Sequence, residues 1–167
     1  IYALSSYYRA SGDKNALKLA YEIMDLVEKY ATDDVAYLET MARDWKSELQ
    51  NDELSENGLM ADKTMNTTLH LMEAYTELYL ADHSPKVLDR LKFQLDLTYD
   101  KIYDKEGHKL LVFFDRNMDV IGDIHSYGHD IEATWLIDRA CEVIGDPAIT
   151  AKFAEMNKAI VKNIADI

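Results

Sequence analysis

The chain has 167 residues, and its 18 Lys and Arg against 31 Asp and Glu give a formal net charge of -13 at pH 7. Such an acidic surface repels phosphate backbones and anionic lipids, and no apolar run approaches the ~20 residues of a membrane span, which argues against nucleic-acid and membrane partners. With 48% hydrophobic residues and only 6 Gly and 2 Pro, the composition predicts one globular domain over residues 1–167.

Six helices are predicted from apolar residues that recur at spacings of three and four. The first covers about 1–10 and the second about 13–30, with Gly12 closing the first. Ser84 as N-cap and Pro85 at the first helical position open the fourth helix, and Gly145 ends the fifth. The third to sixth helices are expected at about 61–81, 84–103, 128–144 and 147–165.

Two apolar segments, 37–41 and 110–114, are predicted as short strands, each followed by a polar turn, and we expect small hairpins on one rim. Each leads, after a loop, into a helix that carries His-x-x-Glu-Ala, at 70–74 and at 129–133. A repeated helical hairpin with insertions on one side is typical of a solenoid or toroid, whose inserted rim usually forms the binding face.

The paired His and Glu residues are the main candidates for chemistry. Residues three apart share one helix face, so His70 with Glu73 and His129 with Glu132 can point into one cavity. Histidine titrates near neutral pH, and a carboxylate can orient or tune it, which suits proton transfer. A single motif of this kind is best explained by chance or a structural role, whereas two copies in the same repeat context give a functional role equal weight with a structural one.

Residues flanking these motifs are further candidates. Ser126 and Gly128 lie at a helix start, where unpaired backbone N–H groups can face a ligand. Trp135 has a ring suited to stacking on a sugar, although its position alone favours core packing. Asn66 lies four residues before His70 on the same face, where a polar residue near a helix start is the simpler interpretation. Two histidines four apart, at 125 and 129, are weak evidence for a metal, and no metal site is predicted.

Two stretches resemble a known family. Residues 63–75, KTMNTTLHLMEAY, and residues 126–136, SYGHDIEATWL, are similar to the two His motifs of the N-acylglucosamine 2-epimerase superfamily, in particular to its cellobiose 2-epimerase branch. The opening residues 1–5 and the turn at 113–115 also fit that branch, so the resemblance covers the whole chain. It implies an all-α fold, an (α/α)6 barrel of twelve helices, of which the six predicted here would be the central part of a single catalytic domain.

The resemblance also implies roles for individual residues in a sugar 2-epimerase that works through an enediolate. His129 matches one of two acid/base histidines and Glu132 the carboxylate beside it, while His70 and Asn66 match groups that hold the sugar. Trp135 matches a substrate-contacting indole. We therefore take His129, Glu132 and His70 as candidate catalytic residues and Asn66 and Trp135 as substrate-binding residues. A small-molecule sugar is the expected partner, with no metal or other cofactor.

Several alternatives remain. An N-acylglucosamine 2-epimerase or an aldose–ketose isomerase of the same superfamily would share most of these residues. A metal enzyme could use two His-x-x-Glu pairs, but carboxylate-bridged di-iron bundles use the reverse order, Glu-x-x-His. A non-catalytic helical repeat that binds a partner is the remaining class, although it would gain nothing from burying matched polar pairs.

The first residues of the chain and its single cysteine carry two further expectations. The chain opens at Ile1 inside an amphipathic pattern, without Met or a cap, which predicts a fragment of a longer chain. The family's second acid/base His and its enediolate-stabilising Arg match no segment here, so the 167 residues are expected to be inactive alone. Cys141 lies in an apolar run and is expected to be a buried thiol, which favours a cytoplasmic location.

Overall fold

The computed structural model describes residues 1–46 and 59–166, and within them the chain is mostly helical. The six helices are α1 Tyr2–Ser11, α2 Lys14–Tyr30, α3 Met65–Asp82, α4 Pro85–Leu97, α5 Tyr127–Ile144 and α6 Pro147–Ala165. A π-helical turn, Thr98–Ile102, continues α4. Four two-residue strands are β1 Lys63–Thr64, β2 Tyr103–Asp104, β3 Lys109–Leu110 and β4 Phe113–Phe114. All six predicted helices are therefore present.

The helices form two layers. α1, α3 and α5 pack side by side, and α2, α4 and α6 each pack against the helix that precedes them. Surface ion pairs link neighbours of the second layer: Lys86 with Asp25 joins α4 to α2, and Lys152 with Asp96, at 3.2 Å, joins α6 to α4. The two His-x-x-Glu helices, α3 and α5, are consequently neighbours in the same layer.

Exposed ion pairs of this kind contribute little to the free energy of unfolding. The apolar side chains buried between the layers supply most of it. Each fully buried side chain of this size contributes roughly 1.5–3 kcal/mol relative to leaving it exposed. The core lies between the two layers of helices. Its largest fully buried apolar side chains include Met24, Met72, Leu78, Leu91, Leu95 and Phe153.

A partly buried polar network fixes α3 against the second layer. The Glu28 carboxylate on α2 accepts hydrogen bonds from the Tyr75 hydroxyl at 2.7 Å and the Tyr37 hydroxyl at 2.9 Å. Arg90 on α4 pairs with the other oxygen of Glu28 and also donates to Tyr37. Burial, followed by neighbouring negative charge, raises the pKa of both tyrosines. Both therefore stay protonated donors, and the network joins α2, α3 and α4.

The predicted helix boundaries are correct where glycine ends a helix. Gly12 and Gly145 adopt left-handed conformations, with φ of 74° and 71°. Their N–H groups cap the preceding turns by bonding the carbonyl oxygens of Tyr8 and Cys141. A side chain would strain either position, whereas glycine adopts it freely, so both glycines mark a true helix end.

Two predicted boundaries are wrong. The third helix was expected from about residue 61 but begins at Met65, because the two preceding residues form β1 and pair with β4. The fourth was expected to reach Tyr103, but its α-helical part ends at Leu97 and the π-helical turn follows. Tyr103 then starts β2 and pairs with Leu110. Apolar residues continue through both junctions, so hydrophobic spacing alone does not reveal the change of structure.

The strand predictions are correct only in part. Residues 37–41 form no strand; Tyr37 makes an isolated bridge with Thr32, and the backbone N–H of Glu39 bonds the Asp62 carbonyl. The predicted strand 110–114 is divided between two sheets, since β3 pairs with β2 as a hairpin while β4 pairs with β1. The rim is thus one hairpin and one ladder that connects the loops preceding α3 and α5.

Candidate active site

α3 presents three of the predicted site residues on one face, because Asn66, His70 and Glu73 are four and three residues apart. His70 and Glu73 are half-exposed, with 47% and 34% of their side chains accessible. The Nδ1 atom of His70 lies 3.2 Å from Oε2 of Glu73. The first motif therefore forms the His–Glu contact that its spacing predicts.

The start of α3 is held by a carboxylate that the sequence analysis did not single out. The hydroxyl of the N-cap Thr64 accepts a hydrogen bond from the Thr67 backbone N–H at 3.0 Å and donates to Oε2 of Glu39 at 2.6 Å. The Thr67 hydroxyl donates to the same oxygen. Glu39 thus ties the loop after α2 to the first turn of α3, one turn before His70.

Lys63 anchors the rim beside this turn. Its side chain is 1% exposed, and Nζ donates to Oδ1 of Asp33 at 2.9 Å and to the Arg116 carbonyl at 2.7 Å. Burial alone would raise the pKa of Asp33, but hydrogen bonds from Lys63 and from two backbone N–H groups hold that pKa below its usual value. The buried ammonium is therefore fully paired, as burial of a charge requires.

The start of α5 differs from that of α3, because the N-cap of α5 contacts the histidine of its own motif. Its N-cap, Ser126, accepts a hydrogen bond from the His129 backbone N–H at 3.4 Å. The same Oγ atom lies 2.7 Å from the ring Nδ1 of His129. His129 is therefore in the first turn of its helix, and its ring contacts the cap rather than Glu132. Glu132 is exposed and has no hydrogen-bond or ion-pair partner within the described ranges.

A second carboxylate that the sequence analysis missed lies under this helix start. Asp130 is 1% exposed, and its Oδ1 accepts from the Leu110 backbone N–H at 3.0 Å. Its Oδ2 lies 2.6 Å from Nε2 of His125. The spacing of His125 from His129 gave only weak evidence for a metal site, and the structure pairs His125 with Asp130 instead. The available signal was Asp130 itself, an acidic residue on the same face of α5 as the buried Ala133 and Ile137. A carboxylate on such a face needs hydrogen-bond partners when it is buried.

Trp135 is 63% exposed, so the core-packing interpretation of this residue is wrong. It lies one turn beyond Glu132 on α5 and lines a cavity of about 190 Å³ between α1, α3 and α5. The other lining residues are Tyr2, Glu73, Thr76, Glu77, Leu136 and Arg139. The cavity therefore connects Trp135 with Glu73 of the first motif, while neither His70 nor His129 lines it.

Metal ligands, membrane-spanning helices and reactive thiols are features of other protein classes. Within residues 1–46 and 59–166, no three His, Cys, Asp or Glu side chains are arranged to hold a metal ion. No helix there is long and apolar enough to cross a membrane. Cys141 is free and buried, as predicted, and burial raises its pKa to about 11, so the thiol stays protonated near neutral pH.

The fold and the paired motifs define a class. Over residues 1–161 the chain matches the family model for N-acylglucosamine 2-epimerase (GlcNAc 2-epimerase). The chain belongs to this family, which confirms the resemblance drawn from the two His motifs.

Two of the individual proteins that the chain resembles belong to one branch of this family by their names. The chain is 59% identical over 167 residues to a cellobiose 2-epimerase of Ruminococcus albus, covering 100% of this chain and 43% of that protein. It is 39% identical over 166 residues to a cellobiose 2-epimerase of Dictyoglomus turgidum, covering 99% and 42%. A solved sugar epimerase from a ruminal bacterium superposes with a TM-score of 0.95 at 58% identity, covering 99% and 42%. The chain thus spans less than half the length of the curated relatives it matches.

Proposed function

We propose that the full-length protein carrying this chain is a sugar 2-epimerase that inverts C2 of the reducing-end aldose of a disaccharide such as cellobiose. The observation that carries this proposal is the 59% identity, across all 167 residues, with a protein named cellobiose 2-epimerase. The two His motifs lie inside that match and on neighbouring helices.

The reaction needs only proton transfers. In the open-chain sugar, the aldehyde acidifies the C2–H bond. A base removes that proton, the C–H electron pair forms the C1–C2 double bond, and the carbonyl oxygen takes the charge of the enediolate. Delivery of a proton to the opposite face of C2 restores the aldehyde with inverted configuration. We assign one of these two transfers to His129, because histidine exchanges protons near neutral pH.

The remaining roles follow the resemblance. His70 and Asn66, one turn apart on α3, hold the sugar, and Trp135 stacks on it. Glu132, one turn after His129 on α5, acts through its negative charge, since the His129 ring has its hydrogen-bond contact with Ser126. The second acid/base group and the cation that stabilises the enediolate come from segments outside these 167 residues. No metal or other cofactor is required, since the substrate's own carbonyl supplies the acidity.

We also propose that the six helices form the central part of a single (α/α)6 barrel. The two layers, one containing α1, α3 and α5 and the other α2, α4 and α6, support this arrangement. In such a barrel the first layer would be the inner ring, which would turn both His-x-x-Glu helices toward the substrate. A cytoplasmic location belongs to the same proposal and rests on the single unpaired, buried Cys141.

Deuterium exchange tests the function. The full-length protein is incubated with cellobiose in deuterated water and followed by NMR. We expect deuterium at C2 of both cellobiose and its glucosyl-mannose epimer. With His129→Asn we expect no formation of the epimer, although the other acid/base group can still exchange the C2 proton of one of the two sugars. A labelled ketose as the main product would instead identify an aldose–ketose isomerase. Turnover without deuterium at C2 would contradict the enediolate mechanism.

A further inference from the structure

The ring of His129 has two nitrogens, and the structure distinguishes them. Nδ1 lies 2.7 Å from Oγ of Ser126, within hydrogen-bond distance. Nε2, on the other side of the ring, has no hydrogen-bond partner among the described residues. The nitrogen available for exchange with a substrate is therefore Nε2.

This contact is local, so it depends little on the rest of the protein. Ser126 is the N-cap of α5 and His129 is its third residue, which places both side chains at one helix turn. The turn itself is anchored by the buried Asp130, which binds the Leu110 backbone N–H and the His125 ring. The direction of the His129 ring is thus set by a cap whose own position is fixed.

The proton transfer at Nε2 determines which atom donates in the hydrogen bond between His129 Nδ1 and Ser126 Oγ. A His129 that removes a proton through Nε2 must keep its lone pair there, so Nδ1 must carry the hydrogen of the neutral ring. A His129 that delivers a proton is an imidazolium, with hydrogen on both nitrogens. In both states Nδ1–H donates, and Ser126 Oγ can accept in both. A neutral hydroxyl suits a reversible reaction, because it favours the charged ring less than a carboxylate would.

We propose that Ser126 is a positioning residue for the epimerisation, which holds His129 in the Nδ1–H form and leaves Nε2 as the proton-transfer atom. This inference rests on the proposed function. The competing explanation is that Ser126 only caps α5, as serine commonly does at this position.

Three substitutions in the full-length protein separate the two explanations. Ser126→Ala removes both the cap and the acceptor. Ser126→Thr keeps both. Ser126→Asp keeps a good cap but replaces the neutral acceptor with a charged one. Asp146→Ala is the matched control, because Asp146 is the N-cap of α6, accepts from the backbone N–H groups of Ala148 and Ile149, and lies outside the site.

We expect Ser126→Ala to lower kcat about 10-fold with little change in KM, less than the loss of at least ~10²-fold for removing the base itself. Ser126→Thr should restore kcat, and Asp146→Ala should leave it unchanged. In Ser126→Asp the carboxylate stabilises the imidazolium, so the limb of the pH profile that reports His129 should move to higher pH. Glu132 and the His70–Glu73 pair are unchanged in all variants. Nitrogen-15 NMR of His129 should show Nδ1–H in the wild type and a loss of that tautomer in Ser126→Ala.

Two results would overturn the positioning role. One is a normal kcat and tautomer in Ser126→Ala, and the other is an equal loss of kcat in Asp146→Ala. If Ser126→Ala does not fold, Ser126→Gly decides, because glycine is tolerated at an N-cap but has no side-chain acceptor for Nδ1. A normal kcat in Ser126→Gly would overturn the positioning role. Absence of 2-epimerisation by the unsubstituted full-length protein would instead refute the proposed function, so the two failures are distinguishable.

Discussion

The two His-x-x-Glu helices share a sequence motif but differ in where the motif lies along the helix. His70 is six residues beyond its N-cap, Thr64, whereas His129 is three residues beyond its N-cap, Ser126. The first histidine is out of reach of its cap and contacts Glu73 at 3.2 Å. The second lies in the first turn and contacts its cap at 2.7 Å.

This difference of one turn separates two kinds of ring environment. A carboxylate beside His70 fixes the ring with a charged acceptor, which suits a group that holds a sugar hydroxyl. A neutral hydroxyl beside His129 leaves Glu132 unpaired and Nε2 open, which suits a group that exchanges protons in both directions. Identical motifs in a repeat therefore do not imply identical chemistry, because the distance from the helix start selects the partner of the ring.

The largest expected effect tests that distinction directly. In the full-length protein, His129→Asn should lower kcat at least ~10²-fold, because Asn keeps the size and polarity but cannot exchange a proton near pH 7. His70→Asn is the matched substitution on α3. It should raise KM and leave kcat nearly unchanged, because the proposed role of His70 is to bind the sugar and not to transfer a proton. Steady-state kinetics with cellobiose measure both effects, and circular dichroism confirms folding. Equal losses of kcat in the two variants would remove the distinction between the helices.

The sequence predicted those features of α3 and α5 that depend on the spacing of residues along the chain. Helix existence and the glycine ends follow from periodicity and from backbone rules that act locally. The neighbouring positions of the two motifs follow from their repetition in matched contexts. The contact of His70 with Glu73 follows from their three-residue separation.

The sequence did not reveal partners that come from distant segments. Glu39 reaches the start of α3 from another loop, and Asp130 binds a strand twenty residues earlier. The start of α3 at Met65 depended on pairing with β4, about fifty residues later. Spacing within one helix cannot report such contacts. The contact of His129 with its cap is of the other kind, since Ser126 lies three residues away at a helix start that the sequence placed within one residue.

A smaller effect is expected at the two glutamates. Glu132→Gln should lower kcat by less than His129→Asn, because Glu132 does not contact the His129 ring and acts only through its charge or through the substrate. Glu73→Gln is its counterpart on α3 and keeps an acceptor for His70 while removing the charge. The kinetics of both variants, measured beside the wild type, check the order of effects. A loss in Glu132→Gln as large as in His129→Asn would mean that Glu132 transfers a proton itself.

The smallest expected effect concerns the aromatic side chain between the two helices. Trp135→Ala should raise KM by about 3- to 10-fold and change kcat less, because ring stacking of about 0.5–1.5 kcal/mol stabilises the bound substrate and the transition state alike. Trp135→Phe should restore part of the affinity. Removing a side chain that is 63% exposed should cost little stability, so the thermal midpoint is expected to change little.

Tyr30→Ala is the matched control for this prediction, because Tyr30 is also an exposed aromatic residue but lies on α2, in the other layer. It should change neither KM nor kcat. A rise of KM in Trp135→Ala alone would place the sugar against the layer that contains both histidines, beside the cavity shared with Glu73. Unchanged KM in Trp135→Ala would mean that the indole does not contact the substrate. A fall in kcat at constant KM would mean that Trp135 acts in the transition state only, which stacking on a bound sugar does not explain.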